Sequence, residues 1–167
     1  LELTTKGVWA QRTLDAYRPL FTDLAVSLGR PPAGTPDAPD DPVLAEEVAA
    51  AYHKLAEVLG SPAQANLGER EAALSAHRKG LAIRERLAAD APGDLTRQDR
   101  LVESHLEMAH ALRGPEAVEQ ARRALATAER LVALEAGSEA YRRLWARSLY
   151  AEGSALVVSG DLPAARA

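Results

Sequence analysis

The residues best suited to chemistry in this chain are its four histidines and the carboxylates near them. Glu107 and His110 stand three residues apart, which places a carboxylate and an imidazole one helical turn apart, as in helical-bundle metal sites. Such a site requires a second motif of the same kind and two more carboxylates from facing helices. Only one such motif is present, so we predict a solvated polar helix face and no metal site.

The other three histidines, His53, His77 and His105, lack the short spacings typical of metal ligands. His77 and His105 fall at positions where packed helices touch, so we predict contact roles for them. No serine lies on a sharp glycine-flanked turn, and no glycine-rich phosphate loop occurs. The absence of cysteine excludes thiolate catalysis and cysteine-ligated metals. We therefore expect no catalytic residue and no cofactor.

Arginine is the main basic residue, and two clusters of it could recognise an anionic partner. Glutamates interleaved with them favour instead a helix surface held together by ion pairs. The clusters are Arg122, Arg123 and Arg130, and Arg142, Arg143 and Arg147; the interleaved acids are Glu119, Glu129, Glu135 and Glu139. A net charge of −4 argues against binding to nucleic acid, which requires a basic surface.

The composition favours a protein made of closely packed helices. Hydrophobic residues make up 47% of the chain but aromatic residues only 4%, and many of the hydrophobic residues are alanine. Alanine favours helices and lets them pack closely. No apolar run approaches the roughly 18 residues that span a bilayer, so we expect no membrane contact from this chain. The chain lacks an initial methionine and ends inside a helical pattern, so we expect it to be a piece of a longer protein. Its compartment is therefore left open.

The periodicity predicts helices throughout, and no segment alternates with the period of a strand. Residues 1–40 are interpreted as an N-terminal helix, from about residue 5 to residue 28 with a break at Pro19, followed by a proline-rich linker at 30–42. Residues 41–167 are interpreted as a series of helix hairpins. Their predicted helices run over about 43–59, 69–89, 95–112, 116–135 and 139–159, with a sixth beginning near residue 160.

Large and small residues recur along these helices in a repeated pattern. In the first unit they are Tyr52, Leu55, Ala56, Leu59, Ala73, His77 and Gly80; in the second, His105, Met108, Ala109, Leu112, Ala117, Ala121 and Ala124; in the third, Gly153, Leu156 and Ala165. This pattern resembles the tetratricopeptide repeat, with Glu152 at a position where leucine is usual. The resemblance implies about two and a half hairpins in a right-handed α-solenoid.

One stretch resembles a narrower family. Residues 51–94 are similar to the tetratricopeptide region that follows the catalytic domain of many bacterial serine/threonine protein kinases. The long turn GSPAQANLG, at residues 60–68, matches an inserted turn of those repeats, and LAIRE, at 81–85, matches the helix that follows. The resemblance covers about residues 8–167 and implies a parent with a kinase domain. No kinase signature occurs in this chain, so the chain itself is expected not to phosphorylate anything.

In such a stack the first helix of each hairpin lines a concave groove. The residues that this alignment places in the groove are His53, Lys54, Glu57, Glu103, Glu107, His110, Arg147 and Tyr150. This set predicts a protein or peptide partner of basic or mixed charge. The leading hypothesis is a non-catalytic protein-interaction module. The alternatives are a structural spacer or dimerisation element that stacks end to end with a second copy, and, more remotely, a helical-bundle metal protein.

Overall fold

The computed structural model describes residues 40–60 and 68–160. Every regular element in these ranges is an α-helix, which confirms the all-α class. The helices are α1 (Pro42–Gly60), α2 (Arg70–Asp90), α3 (Leu95–Ala111), α4 (Pro115–Leu134) and α5 (Glu139–Ser159). Their ends agree with the predicted ends to within one residue. The predicted N-terminal helix, the linker before Asp40, the middle of the long turn and the truncated sixth helix lie outside the described residues.

Side-chain caps explain why several helices begin where they do. At α1 the Asp41 carboxylate accepts hydrogen bonds from the backbone N–H groups of Val43 and Leu44, at 2.8 and 3.2 Å. Asp94 accepts from the N–H groups of Thr96 and Arg97 in the same way, at 3.0 and 3.1 Å. Each cap satisfies N–H groups that have no partner inside the helix and contributes about 1 kcal/mol.

The chain divides into two compact units, residues 1–80 and residues 81–167, and the boundary between them lies inside α2. In the first unit α1 packs against the N-terminal part of α2, and the N–H group of Glu69 donates to the carbonyl of Leu59 at 2.9 Å where the two helices connect. A Cβ atom added at Gly80 would lie only 3.2 Å from the carbonyl oxygen of Ala49. The helices therefore approach closely because position 80 carries no side chain.

The second unit is built around α4, which packs against both α3 and α5, and α3 also contacts α5. Its core consists of Val102, Leu106, Ala109, Ala121, Ala124, Ala128, Leu131, Leu144 and Ala151. The face of α4 in this core is mostly alanine, which lets neighbouring backbones lie close together. The large residues of α3 and the leucines at 131 and 144 fill the remaining space.

The C-terminal part of α2 belongs to the second unit and is fastened to α3 by polar contacts. Buried Arg84 donates from Nη1 to the hydroxyl oxygen of Ser104, at 2.9 Å. Gln98 donates from its side-chain amide to the carbonyl of Ala88, at 3.2 Å. Among the described helices, none has the length and apolar character needed to cross a membrane.

Candidate functional site

Three of the predicted groove residues lie together on α1. Lys54 Nζ lies 2.9 Å from Glu57 Oε2, and His53 Nε2 lies 3.4 Å from Glu57 Oε1. These spacings of three and four residues bring the side chains to one face of the helix. We call His53, Lys54 and Glu57 the α1 patch. It presents an ammonium group, a carboxylate and an imidazole within one turn of helix.

His77 of α2 lies beside this patch, although the spacing along α2 predicted only a packing role for it. Its ring centroid lies 5.9 Å from that of His53, with the two planes inclined by 60°. The side chain is half-buried between the helices. The predicted packing role agrees with this position, but the pairing with His53 involves residues on different helices. Periodicity along one helix contains no signal for such a pair.

The electrostatics of the α1 patch follow from these contacts. The hydrogen bond from Lys54 holds the pKa of Glu57 below its usual value. Burial, reinforced by the neighbouring His53, lowers the pKa of His77 to about 4, although the Glu57 carboxylate acts in the opposite direction. At neutral pH His77 is therefore an uncharged imidazole beside a charged Lys54–Glu57 pair.

The remaining groove candidates lie in the second unit, and the structure joins two of them directly. Arg147 on α5 donates from both Nη atoms to the two carboxylate oxygens of Glu103 on α3, at 2.6 and 3.0 Å. This two-pronged geometry is the strongest form of an arginine–carboxylate contact. Glu107 and His110 follow Glu103 at four and seven residues, so they continue the same stripe of α3. We call Glu103, Glu107, His110 and Arg147 the α3 patch.

The α3 patch is less acidic than the sequence implied, because Arg147 neutralises Glu103. A further carboxylate, Asp99, precedes Glu103 by one turn and was not among the candidates. Burial, together with the adjacent Glu103, raises the pKa of Asp99. Its spacing of four residues from Glu103 was the signal that could have identified it. The surface of the α3 patch therefore carries both signs of charge.

Tyr150, the last candidate, lies on α5 with 75% of its surface exposed. It lies one turn after Arg147. Four more apolar residues of α5 are also exposed, Trp145 at 37%, Leu149 at 48%, Val157 at 53% and Val158 at 60%. Trp145, Leu149 and Val157 are separated by four and eight residues and so follow one stripe of the helix. We call Trp145, Leu149, Tyr150 and Val157 the α5 stripe.

His105 fulfils the contact role that the sequence predicted. It is only 4% exposed, and its Nδ1 atom lies 2.8 Å from the side-chain oxygen of Gln120 on α4. Because that oxygen only accepts hydrogen bonds, the proton of the neutral ring is assigned to Nδ1. Burial lowers the pKa of His105, and the hydrogen bond to Gln120 opposes that effect.

The arginine clusters are largely engaged in ion pairs within the chain. Arg122 contacts Glu152 at 2.9 Å, and Arg143 contacts Glu139 at 2.6 Å. Arg123 lies between two carboxylates, those of Glu119 at 2.9 Å and of Glu85 at 3.7 Å. The ion-paired helix surface is therefore the arrangement that the structure adopts, in preference to an open cluster awaiting an anion.

Among the described residues, Glu107 and His110 belong to no group of side chains that could hold a metal ion. Across residues 40–60 and 68–160, no group of three or more histidines and carboxylates could hold a metal ion. His110 itself is exposed on α3. Within that part of the chain, the pair is an element of a polar helix face.

Comparison of the chain with protein-family models, with curated proteins and with solved structures gives no match.

Proposed function

We propose that this chain is a non-catalytic protein–protein interaction module, built from tetratricopeptide-like hairpins, within a larger bacterial signalling protein. In its narrower form, the proposal is that the parent is a serine/threonine protein kinase and that this segment is its repeat region. The binding surfaces are the α1 patch, the α3 patch and Tyr150, which carry all the residues predicted to line a groove.

The main support for the proposal is that the small residues of the repeat pattern are buried where helices contact each other. The repeat pattern requires small side chains at positions 117 and 124, and Ala117 and Ala124 are 4% and 0% exposed. It also requires one at position 80, where a Cβ atom would press against Ala49. A repeat register would produce this agreement because its small residues stand where helices touch most closely.

The packing of α4 supports the same proposal. In a stack of hairpins, the second helix of one hairpin contacts its own partner and the first helix of the next hairpin. If α3 and α4 form one hairpin and α5 begins the next, α4 should contact both neighbours, as it does. Side chains carried on such helices are held in place before a partner arrives, which reduces the entropy lost on binding.

The charges of the two patches determine the experiment. The full chain would be screened against displayed peptides of varied charge, and the affinity of each selected peptide would be measured by calorimetry. We expect Lys54→Glu and Glu107→Lys each to weaken the affinity for the selected peptides by about ten-fold, where the peptide carries a charge close to the substituted residue. Each variant should also shift the preference towards peptides of the opposite charge. Glu129→Lys, on an exposed face of α4 outside the patches, is the matched control. If no peptide binds, or if the control changes affinity as much as the patch variants, the proposal is wrong.

One observation favours the second candidate, a structural or dimerising element. The α5 stripe exposes a tryptophan, a leucine, a tyrosine and a valine along one helix, and exposed apolar stripes of this kind often mark contact surfaces. End-to-end stacking with a second copy would cover such a stripe. Sedimentation over a hundred-fold range of concentration separates the candidates, since a strict monomer at every concentration contradicts the dimer.

A further inference from the structure

We propose that mild acid loosens the α1–α2 hairpin of the first unit, because the half-buried His77 meets His53 at the helix contact and cannot take up a proton there at low cost. This inference goes beyond the proposed function, since it concerns the hairpin itself and requires no partner. It makes the first unit sensitive to pH within the range where histidine titrates.

The geometry brings two imidazoles into one small volume. The ring centroids are 5.9 Å apart, one ring on α1 and the other on α2. The His53 side chain is 26% exposed and His77 is half-buried, so solvent screens charges at this contact only in part. His53 lies 3.4 Å from the Glu57 carboxylate. A proton on His77 would place a positive ring at a partly desolvated contact, against the imidazole of His53.

The surrounding charges give a proton on His77 little relief. Glu57 is the carboxylate that favours it, and that carboxylate is already shared with Lys54 at 2.9 Å. The next two residues of α2, Arg78 and Lys79, are cations that do not face the same side of the helix as His77, and Lys79 Nζ lies 5.4 Å from the ring centroid of Tyr52 on α1. The hairpin therefore relieves the cost of protonation by opening, which returns His77 to water.

The direction of the pH effect follows from linkage. In the folded hairpin the pKa of His77 is lowered from 6.5 to about 4, so the open state binds a proton more readily than the closed one. The hairpin keeps its full stability above pH 6.5 and loses it progressively as the pH falls towards 4. After allowance for solvent screening, the population of the open hairpin should rise about ten-fold between pH 7.5 and pH 5.

Amide hydrogen exchange of the full chain tests the proposal, with rates corrected for the intrinsic pH dependence of exchange. In the wild type, protection of residues 49–59 and 73–80 should fall about ten-fold between pH 7.5 and pH 5. In His77→Gln this acid response should largely disappear, because the side chain no longer titrates. His110→Gln removes an exposed histidine of the second unit and should leave the response unchanged. If the acid response persists in His77→Gln at wild-type size, the proposal is wrong.

Direct titration of the imidazoles by NMR provides a second test that does not depend on the stability of His77→Gln. The His77 ring should titrate well below pH 6.5 in the wild type. In His53→Gln its midpoint should move upward, because one of the two causes of the shift has been removed. A His77 ring that titrates near 6.5 in the wild type, or whose midpoint ignores His53→Gln, would overturn the inference.

Discussion

His77 in the first unit and His105 in the second are both imidazoles held between helices, but their surroundings differ. His105 has a hydrogen-bond acceptor, the side-chain oxygen of Gln120 at 2.8 Å, whereas His77 faces a second imidazole at 5.9 Å. Burial lowers the pKa of both rings. Only at His105 does a hydrogen bond oppose that effect. The comparison shows that burial is the main cause of the lowered pKa at both rings, and that the nearest polar neighbour either reinforces it, as His53 does at His77, or opposes it, as Gln120 does at His105.

The same two regions also differ in how they bring their helices together. The first unit relies on a glycine, Gly80, against the backbone of α1, whereas the second uses alanines along α4. A glycine at the contact lets the backbones approach more closely, but glycine loses more conformational entropy on folding than other residues do. Alanine keeps the helix more stable by itself. Four substitutions, taken from the largest expected effect to the smallest, would break or sharpen this comparison.

The largest effect is expected from placing a larger side chain on the buried alanine face of α4 in the second unit. Ala124 is fully buried, so Ala124→Leu should lower the free energy of unfolding by about 1–3 kcal/mol. Ala126→Leu makes the same change on the exposed face of α4 and should cost less than about 0.5 kcal/mol. Urea unfolding measures both. Equal effects of the two variants would show that α4 does not pack through the alanine face.

The next effect concerns the acceptor that distinguishes His105 from His77. Gln120→Ala leaves the buried Nδ1–H group without its partner, and we expect a loss of about 1–2 kcal/mol of stability at pH 7. The pKa of His105 should fall further, since the opposing hydrogen bond is gone. The free energy of unfolding should then decline more steeply as the pH drops below the ordinary pKa of histidine. A ring titration unchanged from wild type would contradict the role given to Gln120.

A matched pair of glycines tests the close approach in the first unit. Gly80→Ala places a Cβ atom 3.2 Å from the carbonyl oxygen of Ala49, whereas a Cβ atom at Gly153 in α5 has no neighbour within 4 Å. Gly153→Ala should therefore stabilise by about 0.5–1 kcal/mol through helix propensity. Gly80→Ala should gain the same propensity but lose more to crowding, for a net cost of about 1 kcal/mol. In thermal unfolding, the two variants should change the unfolding temperature in opposite directions. An increase for both variants would argue against crowding at Gly80.

The smallest effect is expected at the exposed ion pair of the α3 patch. Glu103→Gln should cost no more than about 1 kcal/mol, because solvent and salt screen the contact with Arg147. A double-mutant cycle with Arg147→Gln would isolate the pair. The coupling should shrink further when salt is raised from 0.05 to about 0.5 M. A coupling that is large and insensitive to salt would show that the pair is far better shielded than its exposure indicates.

Much of the fold could be predicted because it depends on local signals. Asp94 caps α3 through N–H groups two and three residues away, and Asp41 does the same for α1. The all-α class follows from such caps, from the glycine and proline breaks and from the three-and-four spacing of leucine and alanine. The buried positions of α4 could also be predicted, since one face of a helix is fixed by its period.

The candidate sites could be predicted only in part. The contact of Lys54 with Glu57 lies within one turn and was implicit in the spacing. The pairs Glu103–Arg147 and His53–His77 join residues 44 and 24 positions apart in the chain, on different helices. Their meeting depends on the register and angle at which two helices cross, which no periodicity along a single helix contains.

The sequence by itself determined where each described helix begins and ends, which face is apolar, and which charged residues share a stripe. It also carries the pattern of small residues on which the proposed function depends. Only the tertiary structure decided that Arg147 neutralises Glu103 and that His105 finds an acceptor while His77 meets a second imidazole. The physical reason is range: caps and helix periodicity act over a few residues, whereas ion pairs and pKa shifts depend on atoms that folding alone brings within a few ångströms.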